Sequence, residues 1–64
     1  MTYSEMYVKA MDDFRGSLCE DGAEYVDFNE VEHIIKQNLT QRDGLTDNDL
    51  VDVAVCCALD HVYH

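Results

Sequence analysis

The chain contains no proline, three glycines and four basic side chains against fourteen acidic ones. Without proline, nothing in the sequence breaks a helix from inside, since each proline would remove an intrahelical hydrogen bond and clash with the preceding turn. No glycine-rich loop suited to cradling a phosphate is present, nor is a nucleophile elbow. The scarcity of cations excludes direct nucleic-acid binding, because neutralised phosphates supply most of that affinity. Anionic membrane surfaces are excluded for the same reason. Long apolar runs are also missing: none approaches the roughly 20 residues that cross a bilayer. The three cysteines, Cys19, Cys56 and Cys57, are odd in number, and two are neighbours whose side chains diverge on a helix, so a disulfide framework is not expected. The chain reads as soluble, unprocessed and cytoplasmic, with reduced thiols and no cofactor.

What is present is a formal charge of -10 on 64 residues. A chain this short forms one domain and buries only about 60% of the surface its unfolded state exposes. Part of its small positive charge is engaged locally: Glu5 with Lys9 and Glu32 with Lys36 stand i, i+4 in the order that favours helix pairs. The outward field is therefore almost wholly negative. It serves solubility in any case, and it also suits a basic protein partner.

Three copies of one start signal organise the chain. Thr2-Tyr3-Ser4-Glu5, Asp27-Phe28-Asn29-Glu30 and Thr46-Asp47-Asn48-Asp49 each place a capping oxygen at N-cap and a carboxylate three residues on. Met1 with Met6, Val26 with Val31 and Leu45 with Leu50 form hydrophobic staples around these caps. Gly22 and Gly44 fall where the first two helices should stop in a left-handed C-cap. The prediction is an all-α, three-helix domain spanning 1–64, with helices at about 3–19, 28–41 and 47–63. Tyr25 and Val26 fall in the first connection and are read as loop. The first helix carries Tyr3, Met6, Tyr7, Ala10, Met11, Phe14 and Leu18 on one stripe, and the second carries Phe28, Val31, Ile34, Ile35 and Leu39, leaving His33 on the polar side.

The third helix has no single stripe. Leu50 to Tyr63 is apolar at 11 of 14 positions. At about 100° per residue, Leu50, Val53, Ala54, Cys57 and His61 make one face and Val51, Val55, Ala58, Leu59 and Val62 a second beside it, together covering roughly 240° of circumference. If the first face packs on the other helices, the second is left over. A C2 homodimer through Val51, Val55, Ala58, Leu59 and Val62 would cover it. The rival reading makes the third helix the central one of a monomer, clamped by both others.

Cys57, His61 and His64 lie on one side of this helix at i, i+4 and i+7, a spacing compatible with zinc. A fourth ligand would be needed, and the plainer reading makes Cys57 a small buried apolar group and His61 a core or interface histidine. Cys56 faces the polar wedge without a nearby cation to lower its pKa, so it is not read as a reactive thiol. Asp21-Gly22 followed by Glu30 does not make a calcium loop: with Glu30 at loop position 12, Cys19 falls at position 1 and Glu24 where glycine belongs. Three short helices offer no concave catalytic pocket, so the chain is not read as an enzyme.

Leu45-Thr46-Asp47-Asn48-Asp49-Leu50 with the later Asp60-His61 resembles a segment of the Hha/YmoA family, small helical proteins that modulate nucleoid-associated repressors by binding them. The resemblance covers those eight residues, with the Asp-His pair about two positions further downstream, and it carries over no functional residue. In size, acidic balance and three capped helices, the whole chain is similar in type to acidic all-helical accessory proteins of bacteriophages and plasmids, which commonly bind a host protein. The expected function is accordingly a non-enzymatic regulatory module that acts as a homodimer and binds a protein partner of basic character. The expected surface is Asp12, Asp13, Glu20, Asp21, Glu24 and Glu30. The alternatives are a metal-dependent structural module and a purely structural assembly component.

Overall fold

Each helix begins where its cap predicts. In the computed structural model, which describes residues 2–21 and 25–63 (Asp21 by its backbone alone), the helices are α1 (Tyr3–Asp21), α2 (Phe28–Gln41) and α3 (Asp47–Tyr63). The first runs two residues past the expected end. Among the described residues there is no strand, and Tyr25 and Val26 are loop. Thr2 Oγ1 accepts from the Glu5 N–H at 3.3 Å. Asp27 Oδ1 accepts from the N–H groups of Asn29 at 3.0 Å and Glu30 at 3.4 Å. At α3 the box closes in both directions: the Asp49 N–H donates to Thr46 Oγ1 at 3.3 Å, and the Thr46 N–H donates to Asp49 Oδ2 at 3.4 Å. These side chains satisfy helix-start donors that would otherwise lack partners.

The end of α2 differs from the expectation. Its C-cap is Arg42 in an extended conformation. Gly44 does take a left-handed φ of 80°, but it lies further along, in the connection to α3, where it turns the chain and does not cap the helix. Gly22, together with Met1 and its staple, lies outside the described residues.

Side-chain contacts define the arrangement. Tyr3 Oη donates to the Lys36 carbonyl at 3.2 Å, and the Arg15 guanidinium lies 5.5 Å over the Phe28 ring, so α1 and α2 are antiparallel. Glu30 meets His61 at 3.3 Å, making α2 and α3 antiparallel as well. Lys9 Nζ reaches Asn48 Oδ1 at 3.5 Å, placing the starts of α1 and α3 at one end of a bundle with extents of 33 × 17 × 17 Å.

The core takes Met6, Ala10, Met11, Phe14 and Leu18 from α1 and Val31, Ile35 and Leu39 from α2. From α3 it takes Leu50, Val51, Ala54 and Ala58. Phe14 is fully buried and meets Phe28 edge to face, with centroids 6.2 Å apart. This favourable ring geometry lets the half-exposed Phe28 close the end of the core. Both predicted stripes on α1 and α2 are therefore core-facing, with Tyr3, Tyr7, Phe28 and Ile34 along their margins.

The α3 helix corrects the two-face picture. Val51 is 1% exposed and Ala58 0% within a single chain, so two of the five residues expected on an uncovered dimer face are already core. The line between the two sequence-defined faces points inward, and contacts with both other helices cover it. One flank holds the half-buried Val53 and Cys57; the other holds Val55, Leu59 and Val62, packed against the core. The physical reason is size. Ala54 and Ala58, one turn apart and fully buried, together with Ala10 on α1, let neighbouring helices approach closely enough to reach both sides of α3.

Candidate functional site

With Val51 and Ala58 enclosed and Val55, Leu59 and Val62 half-buried, the exposed surface is mainly polar, with Val8 and Tyr25 as its most exposed apolar side chains. The outward side of α1 follows directly from helical spacing: opposite the core stripe stand Glu5, Val8, Lys9, Asp12, Asp13 and Glu20, all exposed. Val8 is 57% exposed among these charges, in a shallow hollow with Ser4, Glu5, Lys9, Asp12 and Asp13. Of the six acidic residues expected to form one patch, Asp12, Asp13 and Glu20 share this ridge. Asp21 (as a side chain) and Glu24 lie outside the described residues. Glu30 does not join the ridge: its Oε2 is 3.3 Å from His61 Nε2, which turns it toward the seam between α2 and α3.

That seam forms the second surface. Where α2 starts and α3 ends there is a half-open cleft of about 170 Å³, well below the roughly 300–1,000 Å³ of small-molecule sites. Val26, Val31 and Val62 provide its apolar part, with Asp27, Glu30 and His61 at the rim. Tyr25 stands beside it, 93% exposed. Sequence reading missed this cleft. The Tyr25-Val26-Asp27 approach to the cap was visible, but its meeting with His61 and Val62 depends on how α2 and α3 pair.

The third polar region is the seam between α1 and α2. Lys36 Nζ pairs with Glu32 at 3.3 Å, the i, i+4 pair expected from spacing, and lies 5.1 Å over the Tyr7 ring. Burial, and then the hydrogen bond and charge of Glu32, push the Tyr7 hydroxyl up to about 12. The same hydroxyl, with Lys36, holds the Glu32 carboxyl below its usual range. This network ties the two helices together and leaves Lys36 folded against its own protein. Lys9 and Arg15 are likewise drawn back, onto Asn48 and Phe28.

Among the described residues, Cys57 and His61 are not brought together with a further ligand. Cys57 is half-buried, His61 faces Glu30, and His64 lies outside the described residues. Among the described residues, no group of three or more His, Cys, Asp or Glu side chains is arranged to hold a metal ion. All three cysteines are free thiols, with Cys19 and Cys56 exposed. No described helix is long and apolar enough to cross a membrane. Comparison of the chain with protein-family models, with curated proteins and with solved structures finds no match.

Proposed function

We propose that this chain is a non-enzymatic, acidic protein-interaction module, regulatory in role and of the accessory type found in bacteriophages and plasmids, that binds a basic protein partner through the outer side of α1. The observation that carries this reading is the outer side of α1: Glu5, Asp12 and Asp13, with Lys9 among them, are exposed around a solvent-facing Val8, and Glu20 is exposed further along the same helix. Carboxylates steer a cationic partner, and an apolar spot among them supplies contact area once it arrives. Retraction of Lys9, Arg15 and Lys36 onto their own surface supports the same direction of attraction. A second copy is the less suitable occupant, because two chains at -10 each repel.

The test is the affinity for a short disordered peptide rich in arginine and lysine, measured across salt. Association should weaken steeply between low salt and several hundred millimolar. Asp12→Asn with Asp13→Asn should cost more affinity than Asp43→Asn with Asp52→Asn, although both pairs change the net charge equally. Equal losses would reduce the effect to bulk charge and remove the assignment to α1.

A further inference from the structure

We propose that the cleft between the start of α2 and the end of α3 receives one arginine side chain of a basic partner, with the guanidinium against Tyr25 and Glu30 and the aliphatic stem on Val26 and Val62. This rests on the basic-partner reading but uses a surface distinct from the α1 ridge. Three observations carry it.

The first is Tyr25. A ring that is 93% exposed contributes little to the fold, yet tyrosine offers a flat face that attracts cations. The protein already uses this chemistry nearby, where the Arg15 guanidinium lies 5.5 Å over the Phe28 ring.

The second is the sign of the cleft. A helix start ordinarily attracts anions, but Asp27 Oδ1 already occupies the N–H groups of Asn29 and Glu30. Glu30 adds a further negative charge beside it. The cleft also lies at the C-terminal end of α3, where the helix dipole favours a cation. Carboxylate oxygens accept more than one hydrogen bond, so Glu30 can serve both His61 and a guanidinium.

The third is the match of shape and polarity. A cleft of about 170 Å³ with a valine floor and a charged rim suits one long side chain whose stem is apolar and whose head is charged. Arginine fits better than lysine because its planar head stacks on a ring while donating to a carboxylate, whereas an ammonium is more strongly hydrated.

The probe is N-acetyl-arginine N-methylamide, titrated against the whole chain and followed by backbone and side-chain NMR. Saturable shifts are expected at Tyr25, Val26, Glu30 and Val62. His61→Lys, which places a cation of the chain's own beside Glu30 at an exposed position, should abolish them while leaving the melting temperature nearly unchanged. Tyr25→Ala should weaken binding of the arginine-rich peptide by roughly two- to fivefold, the size of an exposed cation–π contact. Absence of saturable shifts, shifts confined to α1, or an equal response to the corresponding blocked lysine would overturn the proposal. If Tyr25→Ala binds the peptide as tightly as the unaltered chain, while Asp12→Asn with Asp13→Asn still loses affinity, the cleft is excluded and the α1 reading stands.

Discussion

The first and third helices solve the same problem in opposite ways. In α1 the division is sharp: large side chains, with Phe14 fully buried, fill one stripe, and the opposite side carries charged residues, mostly carboxylates with Lys9 among them, and one exposed valine. In α3 apolar residues cover most of the circumference, yet the deepest positions are held by small or β-branched ones, Val51, Ala54 and Ala58. Leu50 is the one leucine it gives to the core, and Val53, Val55, Leu59 and Val62 lie half-buried on its flanks. One helix anchors by volume and the other by proximity. Breadth of apolar surface therefore does not measure how much is left over. It can equally mark a helix placed between two neighbours.

The contrast can be broken most forcefully on the volume side. Phe14→Ala should cost about 3–5 kcal/mol through lost transfer energy and the cavity left behind. In a chain with this little core, the result should be loss of cooperative thermal unfolding by circular dichroism. Next comes the proximity side. Ala58→Leu should cost about 1–3 kcal/mol, because inserting methylenes into a fully buried contact forces the helices apart. A lowered melting temperature that does not vary with protein concentration would bear this out. Were Ala58 on a face between two copies, the substitution would instead change the concentration dependence of melting.

The outer side of α1 should respond in the other direction. Gly16 stands mid-helix with nothing within 4 Å of an added Cβ, so Gly16→Ala should raise stability by about 0.5–1 kcal/mol through the entropy of the unfolded chain. A loss there would mean that the ridge is covered.

The smallest effect at neutral pH lies in the seam joining α1 to α2. The Tyr7 hydroxyl titrates near 12 in the folded chain against 10.0 ordinarily, so its contribution is fully present below pH 10 and is lost as the pH rises from there to about 12. Tyr7→Phe should flatten the fall in melting temperature over that alkaline window. Glu32 has the opposite sign: its folded carboxyl titrates below the ordinary 4.5. Its contribution is present above that value and fades as acid protonates it. Glu32→Gln should remove that part of the acid sensitivity.

Much of the architecture is local and therefore legible in the chain. Thr2, Asp27 and Thr46 announce helix starts because a cap bonds to N–H groups two or three residues away, and that geometry needs no distant partner. The stripes on α1 and α2 are similarly local, since side chains recurring at helical spacing must share a face. The end of α2 was less legible. Gly44 advertises a left-handed turn, but whether it caps the helix or merely bends the connection depends on where Leu45 and Thr46 must go to start α3.

The candidate surfaces divide the same way. Asp12, Asp13 and Glu20 could be placed together because they share one helix. Glu30 could not be assigned correctly without knowing that α3 brings His61 beside it, and the cleft next to Tyr25 has no sequence signature at all.

By itself the sequence determined three helices, their starts, the inward stripes of the first two and an acidic exterior, all consequences of hydrogen bonds and spacings within a few residues. Only the tertiary structure decided that α3 turns the line between its two apolar faces inward, with Leu50, Val51, Ala54 and Ala58 buried. Two apolar faces of similar character offered no local reason to prefer either. The small side chains of Ala54 and Ala58 settled the matter once two other helices were present to close upon them.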